Sequence, residues 1–415
     1  MKYGCIGEKL GHSFSREIHT RIGDYDYELK EVAKEDLDSF MKEADFLGIN
    51  VTIPYKQSVI PYLDYVDEKA RNIGAVNTVV NRGGRLEGYN TDFDGMADLV
   101  KKMNLDVKDR KVFILGTGGT SKTAFAVATA LGAKLVEKVG RREGEGHLTY
   151  EELYERKEEV EVLINTTPCG TFPNVDQAVV DVSRFPNLAG AVDVVYNPMK
   201  TRFVLEAKEC KVKAQGGLYM LVSQAVAAAE HFMDKTYEPE LKDRIFRDLC
   251  KEKENLVLIG MPGCGKSTLA KLLSERLEMP WKDTDVELEK REGKSCKAII
   301  EEEGIEAFRR KEAEVIKGLS IENHLIIATG GGAVLNPENV KALRMNGKIC
   351  FIDRPIEDIM PTKERPLSSN KESLLALYEE RLPIYERSCD LRIRNHKSEK
   401  EFMEEFLVRL EEDRR

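Results

Sequence analysis

The chain has 415 residues, 41% of them hydrophobic and 33% charged, with a net charge of −9 at pH 7. It is too long for one ordinary domain and too apolar for a disordered or collagen-like polymer. Both parts of the chain are mildly acidic, so nothing presents a basic face to nucleic acid, and no apolar run reaches the roughly 18 residues of a membrane span.

The eight cysteines never approach a C-x-x-C spacing, and none stands near a histidine at metal-ligand spacing, so reduced thiols are expected. Nothing after Met1 resembles a signal peptide, and a cytoplasmic enzyme is expected, acting on small molecules as a monomer or homodimer without nucleic acid or membrane partners. Residues 1–91 alternate strand-like segments (2–6, 48–53 and 76–80) with short helical ones. Two later segments share one grammar, an apolar strand, a glycine-rich turn and a helix. Lys111-Val112-Phe113-Ile114-Leu115 leads into Gly116-Thr117-Gly118-Gly119-Thr120-Ser121, and Asn255-Leu256-Val257-Leu258-Ile259 leads into Gly260 through Ser267. Short apolar runs bounded by glycine read as buried parallel strands, so the fold class is α/β. A long apolar helix is expected over 218–231, and the main boundary near 251–254, after a polar stretch.

Gly116-Thr117-Gly118-Gly119-Thr120-Ser121 only partly fits G-x-G-x-x-G, because Ser121 fills the third glycine position. The next strand, over 134–139, runs into Gly140-Arg141-Arg142. An acidic residue there would accept the ribose hydroxyls of NAD. Arginines offer charge and planar donors to a 2′-phosphate and favour NADP(H). Taken alone, the same pair reads equally as a solvated surface loop.

Gly260-Met261-Pro262-Gly263-Cys264-Gly265-Lys266-Ser267 fits G-x-x-x-x-G-K-[ST]. Roughly 0.02 chance matches are expected in a chain this long from average residue usage, which sets an ordinary glycine turn aside. Backbone N–H groups of Gly260, Gly263, Cys264 and Gly265, with Thr268 beyond, are expected to cradle ATP. Lys266 would reach the β- and γ-phosphates, and the Ser267 hydroxyl would sit on Mg2+. Downstream, Asp283 and Asp285 stand two apart at a strand end and are expected to face different ways, one toward the metal and one toward a hydroxylated substrate.

These residues, with Phe308-Arg309-Arg310-Lys311-Glu312, Gly330-Gly331-Gly332-Ala333, Arg365-Pro366-Leu367, Arg381 and Tyr385, resemble shikimate kinase over nearly all of 255–395. The resemblance implies transfer of the ATP γ-phosphoryl group to the 3-hydroxyl of shikimate. Asp285 would bind and activate the hydroxyls, and Arg309 and Arg381 would hold the substrate carboxylate. Gly331 and Gly332 would approach the ring, Asp283 would support Mg2+, and Arg365 would be the lid arginine. The lid segment departs from the family: it is short, and Pro361-Thr362-Lys363 stands where an arginine packing on adenine is expected.

The first part resembles shikimate dehydrogenase in seven blocks that recur in order over about 1–235. They are Gly11-His12-Ser13-Phe14-Ser15, Asn50 through Lys56, Gly74 through Thr78, Gly88 through Asp92, Ile164 through Pro168, Val195 through Pro198 and Gly216 through Gln224. This implies NADP-dependent reduction of 3-dehydroshikimate. Lys56 and Asp92 fall on the catalytic pair, and Ser13, Ser15, Thr52, Asn77, Tyr196 and Gln224 on substrate positions. Gly116, Gly118, Gly119, Thr120, Ser121, Arg141, Arg142 and Thr166 would bind the cofactor. His12 reads as structural. Arg16 replaces the usual proline, which bears on the helix start.

The expected organisation is a substrate subdomain over 1–93 and 214–250, a Rossmann-like NADP subdomain over 94–213 and a P-loop kinase domain over 251–415. The shared metabolite argues for a fusion catalysing consecutive steps. A ligand-sensing regulator derived from such enzymes would have lost chemistry positions, yet Lys56, Asp92, Lys266, Ser267, Asp283, Asp285 and Arg309 are all present. A quinate/shikimate dehydrogenase using NAD is the other alternative, against which Arg141 and Arg142 argue.

Overall fold

The structure is a computed structural model that describes residues 1–11, 14–360, 371–395 and 398–414. The chain divides into two compact units, residues 1–249 and 250–415. No described helix is long and apolar enough to cross a membrane.

The first unit contains two sheets. One has the strand order Tyr27–Glu31, Tyr3–Gly7, Gly48–Val51, Thr78–Arg82, Arg85–Tyr89, Tyr65–Val66. It is parallel at its start and antiparallel where Thr78–Arg82 pairs with both its neighbours. The other is parallel throughout, in the order Lys213–Gln215, Gly190–Asp193, Val162–Asn165, Lys111–Leu115, Leu135–Gly140, Leu148–Thr149. Its central strands are apolar and buried, as burial on both faces of a parallel sheet requires.

Two helices tie these sheets together. Leu218–Met233 has small or apolar residues around most of its circumference and is buried along most of its length. It packs against Thr91–Lys102 so closely that a Cβ on Gly95 would lie 2.6 Å from the Met220 carbonyl oxygen. Only glycine permits that approach. The start of Thr91–Lys102 is fixed by two asparagines. Asn90 caps it by accepting from the Phe93 amide and donating to the Ala75 carbonyl, and Asn77 accepts from the Thr91 amide at 2.7 Å.

The second unit is a five-stranded parallel sheet in the order Trp281–Asp283, Ile326–Ala328, Asn255–Ile259, Gly347–Asp353, Leu391–Arg394. The glycine-rich loop follows its central strand and runs into helix Lys266–Leu277. One hydrophobic core, from Leu256 to Leu410, holds helices on the sheet.

His19 is the most deeply buried titratable group of helix Ser15–Ile22. Its ring stacks on Tyr27 at 3.7 Å and its Nδ1 lies 2.6 Å from the Tyr25 hydroxyl. Burial pulls its pKa down from 6.5 to about 3. The folded protein therefore keeps the ring neutral while the unfolded chain takes up a proton below pH 6.5, and stability is lost as pH falls through that window toward 3. Between pH 7.5 and pH 5, urea unfolding of the wild type should lose about 2 kcal/mol more than that of His19→Phe, which keeps an aromatic ring on Tyr27. Equal losses would show that His19 is not the source.

Candidate active sites

In the first unit a cleft of about 620 Å³ opens between the two sheets. Lys56, Asp92, Ser15, Thr52, Asn77, Tyr196, Gln224, Thr120 and Thr166 all line it. Thus residues drawn from both ends of a 210-residue span (Ser15 to Gln224) meet around one space. The Lys56 ammonium stands 2.5 Å from Asp92 Oδ2, with side chains only 22% and 14% exposed. Partial burial strengthens such a pair and still leaves its proton accessible to a bound molecule. Asp92 comes from the first turn of Thr91–Lys102. The Lys56 backbone is held where its carbonyl accepts from the Val76 amide at 2.8 Å.

Around this one ion pair the remaining polar groups are uncharged apart from the exposed Lys9. Asn77 is buried, and both ends of its amide meet Thr91, so it places the Asp92 helix as well as facing the cleft. Asn50 extends the network, accepting from the Tyr27 hydroxyl at 2.7 Å and donating to the Thr78 hydroxyl at 3.1 Å. Gln224 donates to the Leu221 carbonyl. Burial raises the Tyr196 phenol above its ordinary range and keeps it a neutral donor, and the Cys5 thiol is likewise pushed up to about 12. Two residues without a role in the motif reading set the far wall. Asp193 is fully buried and accepts from Asn165, Thr201 and the Val195 amide, which pins the strand end before Tyr196. Burial raises it to about 6. Asn165 in turn accepts from the Thr167 amide and hydroxyl, holding the turn that carries Thr166.

Gly116, Gly118, Gly119, Ser121, Arg141 and Arg142 are not among the residues lining this cleft. Gly118 and Gly119 stand at the start of helix Gly119–Ala130 with open space where a side chain would be. That is a cradle fitted to a pyrophosphate at a helix N-terminus. Ser121 is buried and its hydroxyl donates to the Gly118 carbonyl at 2.6 Å. It fills the position at which a third glycine serves close helix–strand packing, being small and able to satisfy its own polar atom. Arg141 and Arg142 are exposed just after strand Leu135–Gly140. Ser13 and His12 lie outside the described residues.

In the second unit a cleft of about 400 Å³ is lined by Gly263, Gly265, Lys266, Ser267, Thr268, Asp283, Asp285, Arg309, Gly331, Gly332 and Arg381. Gly263 and Gly265 have φ of 82° and 101°, which L side chains rarely adopt, and so the loop curls. The Lys266 ammonium donates to the Gly260 and Met261 carbonyls at 3.0 and 2.9 Å, and the Ser267 hydroxyl donates to Asp283 Oδ2 at 2.6 Å. Gly260 and Cys264 do not line the cleft, and the Cys264 side chain is buried beneath the loop. Arg365, with Pro361, Thr362 and Lys363, lies outside the described residues.

Asp283 and Asp285 both line the cleft, a correction to the expectation that they face different ways from a strand end. Residues two apart on a strand share a face. Here the strand ends at Asp283, which caps helix Thr284–Glu292 by accepting from the Asp285 amide. Their partners differ because the chain changes from strand to helix. Asp283 meets Ser267, whereas Asp285 lies near Glu312 and the Gly330 backbone. Burial first, then the charges of Asp283 and Glu312, push Asp285 up to about 6. Glu312, 1% exposed, is paired with Arg309 at 2.7 Å, and its pKa is also raised by burial. The motif reading quoted Glu312 beside Arg309 but gave it no task. Its spacing of three from Arg309 on a helix was the available signal. Tyr385 donates to the Gly331 carbonyl, and Arg381 is buried beside it. Arg354 and Lys297 also line the cleft, and neither belongs to a recognisable motif.

The shikimate kinase family matches residues 262–411, and the shikimate dehydrogenase substrate binding domain matches residues 5–79. The chain is 36% identical over 261 residues to the shikimate dehydrogenase (NADP(+)) of Clostridium beijerinckii, covering 59% of this chain and 96% of that protein. It is 39% identical over 263 residues to the enzyme of the same name from Caldanaerobacter subterraneus, covering 57% and 94%. Among solved structures it is similar to a chorismate mutase/shikimate 5-dehydrogenase fusion protein from Clostridium acetobutylicum, with 40% identity, 60% and 96% coverage and a TM-score of 0.56. It is also similar to the Thermus thermophilus shikimate 5-dehydrogenase in complex with NADP(H) and shikimate, with 28% identity, 60% and 99% coverage and a TM-score of 0.55. An ion pair set among uncharged donors and a phosphate loop set among arginines thus stand in one polypeptide that belongs to the shikimate dehydrogenase family and carries a shikimate kinase domain behind it, a bifunctional enzyme of the shikimate pathway.

Proposed function

We propose that this enzyme reduces 3-dehydroshikimate to shikimate with NADPH and phosphorylates shikimate to shikimate 3-phosphate with ATP. The observation that carries the reading is the Lys56–Asp92 pair at 2.5 Å in a cleft whose other polar lining groups, apart from the exposed Lys9, are neutral donors and acceptors. The bound nicotinamide supplies the hydride. As the ketone carbon accepts it, Lys56 gives a proton to the oxygen that becomes the hydroxyl, and Asp92 holds the ammonium in place. Ser13, Ser15, Thr52, Asn77, Tyr196 and Gln224 orient the polyhydroxylated ring. Residues 1–93 and 214–250 form the substrate-binding part and 94–213 the NADP-binding part. The cradle at Gly116, Gly118 and Gly119, with Thr120, Ser121 and Thr166, receives the dinucleotide, and Arg141 and Arg142 take its 2′-phosphate.

Residues 251–415 perform the second reaction. Asp285 accepts the proton of the substrate hydroxyl as its oxygen attacks the γ-phosphorus, and a carboxylate raised to about 6 is better matched to that task near neutral pH than an ordinary one. Arg309 and Arg381 hold the substrate carboxylate, with Gly331 and Gly332 against the ring. Gly260, Gly263, Cys264, Gly265, Lys266 and Thr268 bind the nucleotide, and Arg365 closes on its phosphates. The described residues include no cluster of three or more His, Cys, Asp or Glu suited to a metal. Mg2+ needs none, since it is held through one or two protein oxygens plus phosphates and water. Ser267 and Asp283, already 2.6 Å apart, fit it. When bound, it offsets charge on the β- and γ-phosphates.

In an assay supplying 3-dehydroshikimate, NADPH, Mg2+ and ATP, Lys56→Ala should slow NADPH oxidation by about 10²- to 10⁴-fold while sparing phosphorylation of added shikimate. Lys266→Ala should lower phosphorylation by at least about 10²-fold and spare reduction. Loss of both activities from either change in a folded protein would refute independent sites. Replacing Arg141 and Arg142 together by alanine should raise KM for NADPH about 10- to 100-fold, as expected for losing hydrogen bonds to a charged group, and leave KM for NADH in place. An equal effect on both cofactors would show that the arginines do not read the 2′-phosphate.

A further inference from the structure

We infer that Arg354 is a further nucleotide-binding residue of the kinase site, contacting the polyphosphate of ATP, an inference that rests on the kinase reading above. Strand Gly347–Asp353 runs parallel beside Asn255–Ile259, with Phe351 opposite Ile259, so the two strands end together at the phosphate loop. Arg354 is the first residue past that end. Pro355 follows it and restricts its backbone to an extended conformation. Asp353 before it is buried and bound to Arg392 at 2.8 Å. The Asp353 carbonyl also accepts from the Asn395 amide at 2.8 Å, and the Asn395 side chain donates to the carbonyl of Cys264 within the phosphate loop at 2.8 Å. The backbone that carries Arg354 is thereby fixed relative to the loop.

The Arg354 side chain is half-buried and lines the cleft together with Gly263, Gly265, Lys266, Ser267 and Thr268. The other cations of this cleft have partners. Arg309 is paired with Glu312, Lys297 stands 3.8 Å from Glu301, Lys266 donates to loop carbonyls, and Arg381 is buried beside Tyr385. Arg354 makes no hydrogen bond or ion pair with any described residue. A guanidinium partly removed from water and lacking a counter-charge is stabilised by an anion, and its planar fork suits phosphate oxygens. The polyphosphate is the anion that the adjoining loop is shaped to hold.

Titration of the full-length protein with ATP in a calorimeter, without acceptor, tests this directly and does not depend on which hydroxyl compound is phosphorylated. Arg354→Ala should weaken ATP binding about tenfold, as loss of one charge-assisted contact implies, and raise KM for ATP to match. KM for shikimate and the rate of NADPH oxidation should stay unchanged. Arg354→Lys should recover part of the affinity by restoring the charge. Unchanged ATP binding in Arg354→Ala would overturn the inference, and so would a rise in KM for shikimate alone, which would place Arg354 against the acceptor. If ATP binding falls as expected but shikimate is not phosphorylated, Arg354 keeps its assignment and the acceptor reading fails.

Discussion

Asp92, which meets Lys56, stands in the first turn of a helix that approaches its neighbour more closely than any side chain at Gly95 would allow. That contact seats Leu218–Met233 against Thr91–Lys102, and with it Gln224 and Met220 against the turn that presents Asp92. The asparagines at 77 and 90 then fix the angle at which the helix begins. The geometry of this cleft thus rests on packing as well as on electrostatics. A side chain at position 95 would have to push the helices apart, moving Met220 and Gln224 away from the helix that carries Asp92.

The two clefts treat charge differently, and the difference follows from what each must hold. In the first, a single ion pair and the exposed Lys9 sit among amides, hydroxyls and a phenol kept neutral by burial. In the second, cations outnumber the anions, and two of the three lining carboxylates have a named partner: Glu312 has Arg309, and Asp283 has the Ser267 hydroxyl. Asp285 has no such partner among the described residues, and burial, then the charges of Asp283 and Glu312, raise its pKa. The same burial that would be a defect in a structural carboxylate makes a better proton acceptor near neutral pH.

What could be read from the residues depended on whether the chemistry is local in the chain. The phosphate loop was legible outright, because eight consecutive residues carry the curl, the lysine and the hydroxyl. The α/β class was legible for a similar reason, since each apolar strand announces itself within five residues. Lys56 and Asp92 stand 36 positions apart, and no spacing rule joins them. They could be paired only through the ordered blocks around them. Asp193 gave no signal at all, because a buried aspartate that fastens a strand end looks in sequence like any surface acid, and Asn165 entered only as one member of the block from Ile164 to Pro168. The strand-end argument for Asp283 and Asp285 failed because residues two apart on a strand share a face, and because the strand gives way to a helix after Asp283.

Ser121 shows how a departure from a motif can leave its physics intact. The third glycine of a dinucleotide turn exists so that helix and strand can pack closely, and the requirement is small volume with no unsatisfied polar atom. Serine meets it here because its hydroxyl reaches back 2.6 Å to the Gly118 carbonyl, and its side chain is wholly buried. The second glycine of the pattern, Gly118, has a different duty, and at it and its neighbour Gly119 open space remains where a side chain would stand. Substitution is therefore tolerated at the packing position and would not be at the approach positions. A residue-by-residue reading of why each glycine is required separates the two cases, where a pattern match counts them alike.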